Sequence, residues 1–479
     1  MTGRFSPFVL LILLSPNLSA QNPTPDLDQV ELTNGRVFGG LVLEETPSQV
    51  RFRVVSRKSG RPTLTSTETF SRTDIRSVKR LTDPARDSLV RKLSDLDRQR
   101  ELFLANLRQL DGPADKKLVI DGIRPTAVAW EDDPNQTAWA FDSQFFILTT
   151  NLREPLAVLV TLQLEEIFRA ISNLIPPKLP GRPTRIRIWA DQAGYLRAVA
   201  RDQPNLEHPA FYDPLTNRIL AGTDLARIES EAAALRIHHA KQLGILTQRE
   251  SEIQKAMGGR IPQEFADIAT RARRELRDAD QKNIQAVRQS RTRLLQILNH
   301  EAIHAYLGNW VYDRQHRPLP RWLNEGMAQV FETGLIEAGE IRADWPDPAR
   351  LSGVRQLIRD GRFPPLRKIL SDSPDHFLVR NASTNNNPEI DPSGQTEREA
   401  SREAYLASWI LAYHLTFGLK KIPGPEFDQY LESLAKAKGK AENVAAFEAW
   451  TKMEMDKFEK GMMDFIGKLR PDGSLAPNK

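Results

Sequence analysis

Asn299-His300-Glu301-Ala302-Ile303-His304-Ala305-Tyr306-Leu307-Gly308-Asn309 is the stretch from which the rest of the chain is read. An α-helix turns about 100° per residue, so His300 and His304, four apart, project from one face a single turn apart. Two imidazoles placed in this way can share one metal ion. Glu301 lies about 100° round from His300, within reach of a water on that ion without being a ligand, which is where a general base belongs. Leu295, Leu298, Ala302 and Ala305 recur at spacings of three and four on the face opposite the histidines, so the helix has a dry back and a wet front. It is expected from about Thr292 to Leu307. Taken alone, the pattern also fits two ordinary histidines on an amphipathic helix.

A second stretch, Pro320-Arg321-Trp322-Leu323-Asn324-Glu325-Gly326-Met327-Ala328-Gln329, adds to the first. The pattern His304-x-x-x-Gly308-Asn309-x-Val311 followed by Trp322-Leu323-Asn324-Glu325-Gly326-Met327-Ala328 resembles the gluzincin clan of metallopeptidases, and within it the zinc aminopeptidase branch. The resemblance implies that Glu325, on a second helix, completes a ligand set with His300 and His304 around one Zn²⁺, and that Glu301 serves as base. Such a site keeps a fourth tetrahedral position open, and the pKa of water bound there falls to about 7. Asn324, Gln329 and Glu332 are the candidates for hydrogen bonding that steadies the ligands.

The resemblance also implies a mixed sheet ahead of the metal helix, with an edge strand that pairs with the substrate backbone. Asn217 to Gly222 is the candidate edge. Farther on, Tyr405 opens the helical run Tyr405-Leu406-Ala407-Ser408-Trp409-Ile410-Leu411-Ala412-Tyr413-His414-Leu415, similar to the aminopeptidase-branch helix whose leading Tyr donates a hydrogen bond to the oxyanion. Tyr413 and His414 are alternatives for that role. The chain departs from the aminopeptidase pattern in two places. Glu325 follows His304 by 21 positions, so the connection from Tyr312 to Arg321 must be a little longer. No G-x-M-E-N-like segment lies upstream, and in the aminopeptidases that segment binds the free amino group, so an endopeptidase is expected in preference to an exopeptidase. Metzincins are excluded, because Leu307 and Trp310 stand where their motif needs Gly and His.

Composition sets the outer bounds. The 479 residues are 40% hydrophobic and 27% charged, a globular balance with room for two to four domains. The net charge of +5 arises from 67 basic against 62 acidic side chains spread along the length, and no nucleic-acid partner is expected. With 0 cysteines there are no disulfides, thiolate ligands or cysteine nucleophiles. No G-x-S-x-G elbow or phosphate-cradling glycine loop is present.

In chain order, Arg4 precedes the apolar run Phe8-Val9-Leu10-Leu11-Ile12-Leu13-Leu14, too short to span a bilayer, and Leu18-Ser19-Ala20 precedes Gln21. Residues 1–20 read as a secretory signal, against the plainer alternative of a frayed helix. Export to a periplasmic or extracellular space follows, with no transmembrane helix left after signal removal. Residues 21–83 alternate with period two and contain the hairpin pair Asn34-Gly35, which predicts a small antiparallel, SH3-like β module. That module is either an adaptor for a protein or cell-wall partner or plain packing. A charged helical linker is expected over 84–112, then a sheet-containing half of the peptidase domain over 113–223. Residues 224–291 predict a helical hairpin broken at Gly258-Gly259, a coiled-coil-like arm that caps the cleft, recruits a partner or merely spaces. The zinc-binding helical half spans 292–470 with a polar loop at Ser371–Glu397, and 471–479 form a tail. The expected fold is thus multidomain α+β. The expected function is an exported zinc-dependent endopeptidase acting on peptide or protein substrates. Two other readings are carried: an inactive binding or scaffold protein on a peptidase fold, and a zinc amidase acting on cell-wall peptides.

Overall fold

The computed structural model describes residues 27–111, 124–200, 208–312, 318–371, 397–437 and 439–476. The signal segment, most of the polar loop after Ser371 and the middle of the Tyr312–Arg321 connection lie outside these residues. The chain is α+β; its described residues form a five-stranded antiparallel sheet, a six-stranded mixed sheet and a two-stranded hairpin.

The first sheet is built from β1 (Asp28–Leu32), β2 (Val37–Glu45), β3 (Gln49–Ser56), β4 (Leu64–Ser71) and β5 (Ile75–Lys79). Its order is β4-β3-β2-β1-β5, every pairing antiparallel, and a single 3-10 turn at Arg72–Asp74 joins β4 to β5. Alternation decides which side is dry: Val50 and Phe52 are buried while Arg51 between them is exposed. Gly35 takes φ +82° in the turn after β1, a conformation that its lack of a Cβ makes inexpensive. Helix α1 (Asp83–Asp111) packs Leu89 and Leu93 against Leu41 and Val55. Buried Asp28 fastens it further, accepting hydrogen bonds from the amides of Val42 and Leu81 at 2.8 Å and from Arg86 at 2.9 Å.

The mixed sheet has the order β10-β11-β9-β8-β7-β6. Its strands are β6 (Thr126–Trp130), β7 (Asp133–Asp142), β8 (Phe146–Thr150), β9 (Thr184–Trp189), β10 (Ala210–Asp213) and β11 (Arg218–Gly222). β8, β9 and β11 run parallel; α2 (Glu154–Leu174) and α3 (Gln192–Ala200) supply the crossovers. α2 is apolar round most of its circumference, from Leu156 to Ile171, because it lies between the sheet and the helices behind it. The expected edge at Asn217–Gly222 is not an edge. β11 is an inner strand between β9 and β10, and β10 forms the rim. Which arm of the β10–β11 hairpin joins β9 depends on a non-local pairing.

The arm is present as α4 (Leu225–Ala256) and the first part of α5 (Gln263–Tyr306), with Gly258 and Gly259 at positive φ in the turn. The helix carrying His300 and His304 does not begin afresh near Thr292. It is the last part of the 44-residue α5, since no Gly or Pro interrupts the run from Gln263 to Tyr306. After α5 come α6 (Arg321–Phe331), a β12 (Leu335–Glu337) and β13 (Glu340–Arg342) hairpin, α7 (Pro348–Arg359), α8 (Leu366–Ser371), α9 (Glu397–Tyr413), α10 (Pro425–Lys436), α11 (Lys440–Thr451) and α12 (Met455–Lys468). Phe447, Trp450, Phe458 and Met462 from the closing helices are core.

The β12–β13 hairpin locks the small sheet to the body. Glu340 pairs with Arg57 at 2.6 Å and Lys92 at 2.7 Å, and Glu337 accepts from the Thr63 amide at 2.9 Å, the Thr63 hydroxyl at 2.7 Å and Arg342 at 3.1 Å. Buried charges with this many partners fix geometry more than they add stability.

Candidate metal centre

α5 carries His300 and His304 on one face, and α6 crosses in front of them with Glu325. The two Nε2 atoms are 3.0 Å apart; Glu325 Oε2 lies 3.5 Å from that of His300 and Oε1 lies 3.6 Å from that of His304. Ligand atoms about 2.0–2.1 Å from a tetrahedral Zn²⁺ are roughly 3.3 Å from one another, so these separations suit a single ion. His300, His304 and Glu325 form a buried group that could hold a metal ion. The donor set of two nitrogens and one carboxylate oxygen fits Zn²⁺ with one position left for water or substrate.

Both imidazoles and the Glu325 carboxylate are held from behind. Glu332 Oε2 lies 2.6 Å from His300 Nδ1, and Asn324 Oδ1 lies 2.9 Å from His304 Nδ1, which turns both Nε2 atoms toward the centre. Arg350, from α7, grips the other oxygen of Glu332 and also donates to the Gln329 carbonyl at 2.9 Å. Arg321 lies one turn before Glu325 and reaches its Oε1 at 2.7 Å. Gln329 is the exception among the expected supports. Its amide donates to the Tyr405 carbonyl at 3.3 Å, tying α6 to α9 and leaving the imidazoles to Asn324 and Glu332.

Gly326 explains how α6 and α9 come so close. A Cβ there would stand 2.5 Å from the Ser408 carbonyl oxygen and 2.8 Å from the Ala412 Cβ. Gly326→Ala is therefore expected to cost about 1–3 kcal/mol by overpacking. Denaturant titration should show a lowered midpoint, and metal affinity should fall as the adjoining Glu325 is displaced. Directly after His304 the helix widens into a π turn, Leu307–Val311, and the Trp310 carbonyl is held by the amides of Lys178 at 2.8 Å and Leu179 at 3.0 Å.

Burial pushes Glu301 up to about 7, opposed by the charge of His300 and reinforced by that of Glu325, and the Tyr212 amide on rim strand β10 donates to its carboxylate. A carboxyl poised near neutrality suits a base. Burial also raises Glu325, but His304, Arg321 and His300 together hold it well below the usual carboxylate range. Tyr405 makes a hydrogen bond with Arg321, and burial followed by the Glu325 charge pushes its hydroxyl up to about 12, so it stays protonated. The two alternatives to Tyr405 are elsewhere. Tyr413 donates to the Asp344 carbonyl at 3.1 Å, and His414 packs against Phe458 and Phe465.

Sequence reasoning missed Arg321, Arg350 and His208. Arg321 sits four residues before Glu325, and helical spacing could have found it. Arg350 and His208 lie on other elements, and no local pattern points to them. His208, just ahead of β10, is near enough to Glu325, His300 and Arg321 to respond to their charges, while burial pulls it below the usual histidine value.

Without metal, His300 is bracketed by Glu325 and Glu332. Burial works against its charge, yet hydrogen bonds to both carboxylates raise it to about 10, whereas burial pulls His304 down to about 4. A raised histidine stabilises the fold fully below its ordinary 6.5, and the contribution fades as pH climbs through about 10. A metal needs a neutral Nε2 and must expel that proton. Between about pH 8 and 9, where Glu301 is already ionised, loading should release the His300 proton and a second one from the metal-bound water, so affinity should rise steeply with pH. Calorimetry in buffers of different ionisation enthalpy measures this; release of the water's proton alone would mean that His300 is already neutral.

No protein-family model, no curated protein and no solved structure matches the chain.

Proposed function

We propose that this protein is an exported zinc-dependent peptidase that cuts within peptide chains. The observation that carries the reading is the meeting of His300, His304 and Glu325 with a carboxyl, Glu301, that is no part of the ligand set and is shifted toward neutrality. A purely structural site has no use for such a base. The gluzincin-like pattern of the sequence supports the same assignment, and the apolar run before Gln21 supports export. The strand order and the 3-10 turn before β5 support an SH3-like reading of the first sheet.

A bound Zn²⁺ supplies Lewis-acid polarisation of the scissile carbonyl and a nucleophilic water at neutral pH. Glu301 takes the proton of the attacking water and passes it to the leaving amine. The Tyr405 hydroxyl donates to the oxygen on which charge develops. Glu325 is kept ionised by Arg321, and the histidines are kept in one tautomer by Asn324 and Glu332. β10, at the sheet rim beside Glu301, offers backbone groups to an extended peptide.

Incubating the protein with a peptide library and with cell-wall peptides, with and without chelator and added Zn²⁺, tests the proposal. Chelator-sensitive cleavage inside peptides is expected. Cleavage of wall peptides alone would make it an amidase, and turnover of neither by metal-loaded protein would leave a binding role.

A further inference from the structure

The helical arm presents an apolar groove with no third helix over it among the described residues. Between its base at Ala232 and Val287, the arm buries one apolar side chain, Ala269. Ile245 and Ile268, by contrast, are 52% and 55% exposed, and Leu235 and Met257 also face solvent. Ile245 and Leu246 from α4 with Phe265, Ala272 and Leu276 from α5 enclose a groove of about 480 Å³. On α5, Phe265, Ile268, Ala272, Leu276 and Ala279 are spaced three and four apart, so the apolar stripe runs about 21 Å along the helix. A lone pair of helices leaves such a stripe half wet; a bundle of four covers it.

We propose that the groove seats the same arm of a second copy of this chain, the two hairpins forming a four-helix bundle about a two-fold axis. Charge is the reason for choosing a like partner. Residues 225–287 carry 11 Lys and Arg against 9 Asp and Glu, so the arm neither repels its own kind nor selects a strongly charged one. The charged groups on the groove walls are Arg249 on α4 and Glu275 on α5. A two-fold axis through the groove sets Arg249 of each copy against Glu275 of the other, the self-complementarity that an isologous contact needs. Arg249 gives up only an exposed contact with Glu252 at 3.2 Å to do so.

The area is sufficient as well. From Ala232 to Ala256 the arm runs about 36 Å, and two helices side by side span about 20 Å, giving roughly 700 Å² per partner, close to the ~800 Å² of a stable interface. Leu276 is 24 residues before His300 on the same helix, about 36 Å, so the association leaves the metal centre uncovered.

Sedimentation velocity of the full chain over a wide concentration range reads the association directly. A reversible dimer is expected. Ile245→Glu, at a side chain already half exposed, should keep the helical circular dichroism and weaken the dimer by roughly tenfold or more. Arg249→Glu and Glu275→Arg should each weaken it, and the two together should restore it, a recovery that general loss of stability would not produce. A chain that is monomeric throughout, a dimer unmoved by Ile245→Glu, or a double variant without recovery would each overturn the proposal.

Discussion

Glu301→Gln is expected to leave metal content and folding unchanged and to lower peptide hydrolysis by about 10²- to 10⁴-fold, the usual worth of a positioned base. The substitution is nearly isosteric, and the glutamine oxygen can still accept from the Tyr212 amide, so the local packing has no reason to move. Only the ability to take a proton is lost. Because Glu301 is outside the ligand set, zinc content measured on the purified variant should match the parent, while Glu325→Ala should lose metal and activity together. Unchanged turnover in Glu301→Gln would remove this residue from the mechanism and with it the main support for an enzyme.

Legibility from sequence followed the range of the interaction. His300 and His304 on one face, the dry stripe of Leu298 and Ala302, the alternation at Val50 and Phe52 and the Asn34-Gly35 turn all depend on neighbours within a few positions, and those patterns match the structure. What failed depends on distant partners. The strand at Asn217–Gly222 could be placed, but that β11 lies inside the sheet rests on its pairing with β9. The continuity of α5 was missed because the change from arm to core alters the surroundings of the helix without altering its period. Gln329 has the right helical phase relative to Glu325, and only the position of α9 shows that it turns toward Tyr405. Arg350 reaches Glu332 from α7, and Glu337 and Glu340 reach back to Thr63 and Arg57 in the connection between β3 and β4; none of these has a spacing rule.

Tyr405→Phe should lower kcat by about 10²- to 10³-fold with little change in KM, since the hydroxyl is proposed to act on charge that develops only in the transition state. Its hydroxyl is raised to about 12, chiefly by burial and then by the charge of Glu325, so it is a protonated donor throughout the neutral range. Arg321 makes a hydrogen bond to the same side chain and is also 2.7 Å from Glu325, so one guanidinium fixes Glu325 and the tyrosine relative to each other. The phenylalanine ring keeps the packing of α9 and removes the one donor. Tyr413→Phe serves as the control: its hydroxyl bonds to the Asp344 carbonyl at 3.1 Å, away from the metal centre, and its loss should cost about 1 kcal/mol of stability and leave kcat untouched. If the two variants lost activity equally, or if Tyr405→Phe lost none, the hydroxyl of Tyr405 would be a packing group and the oxyanion donor would have to be sought among the other side chains at the cleft, His208 first, because it lies just ahead of rim strand β10 and responds to the charges of Glu325 and His300.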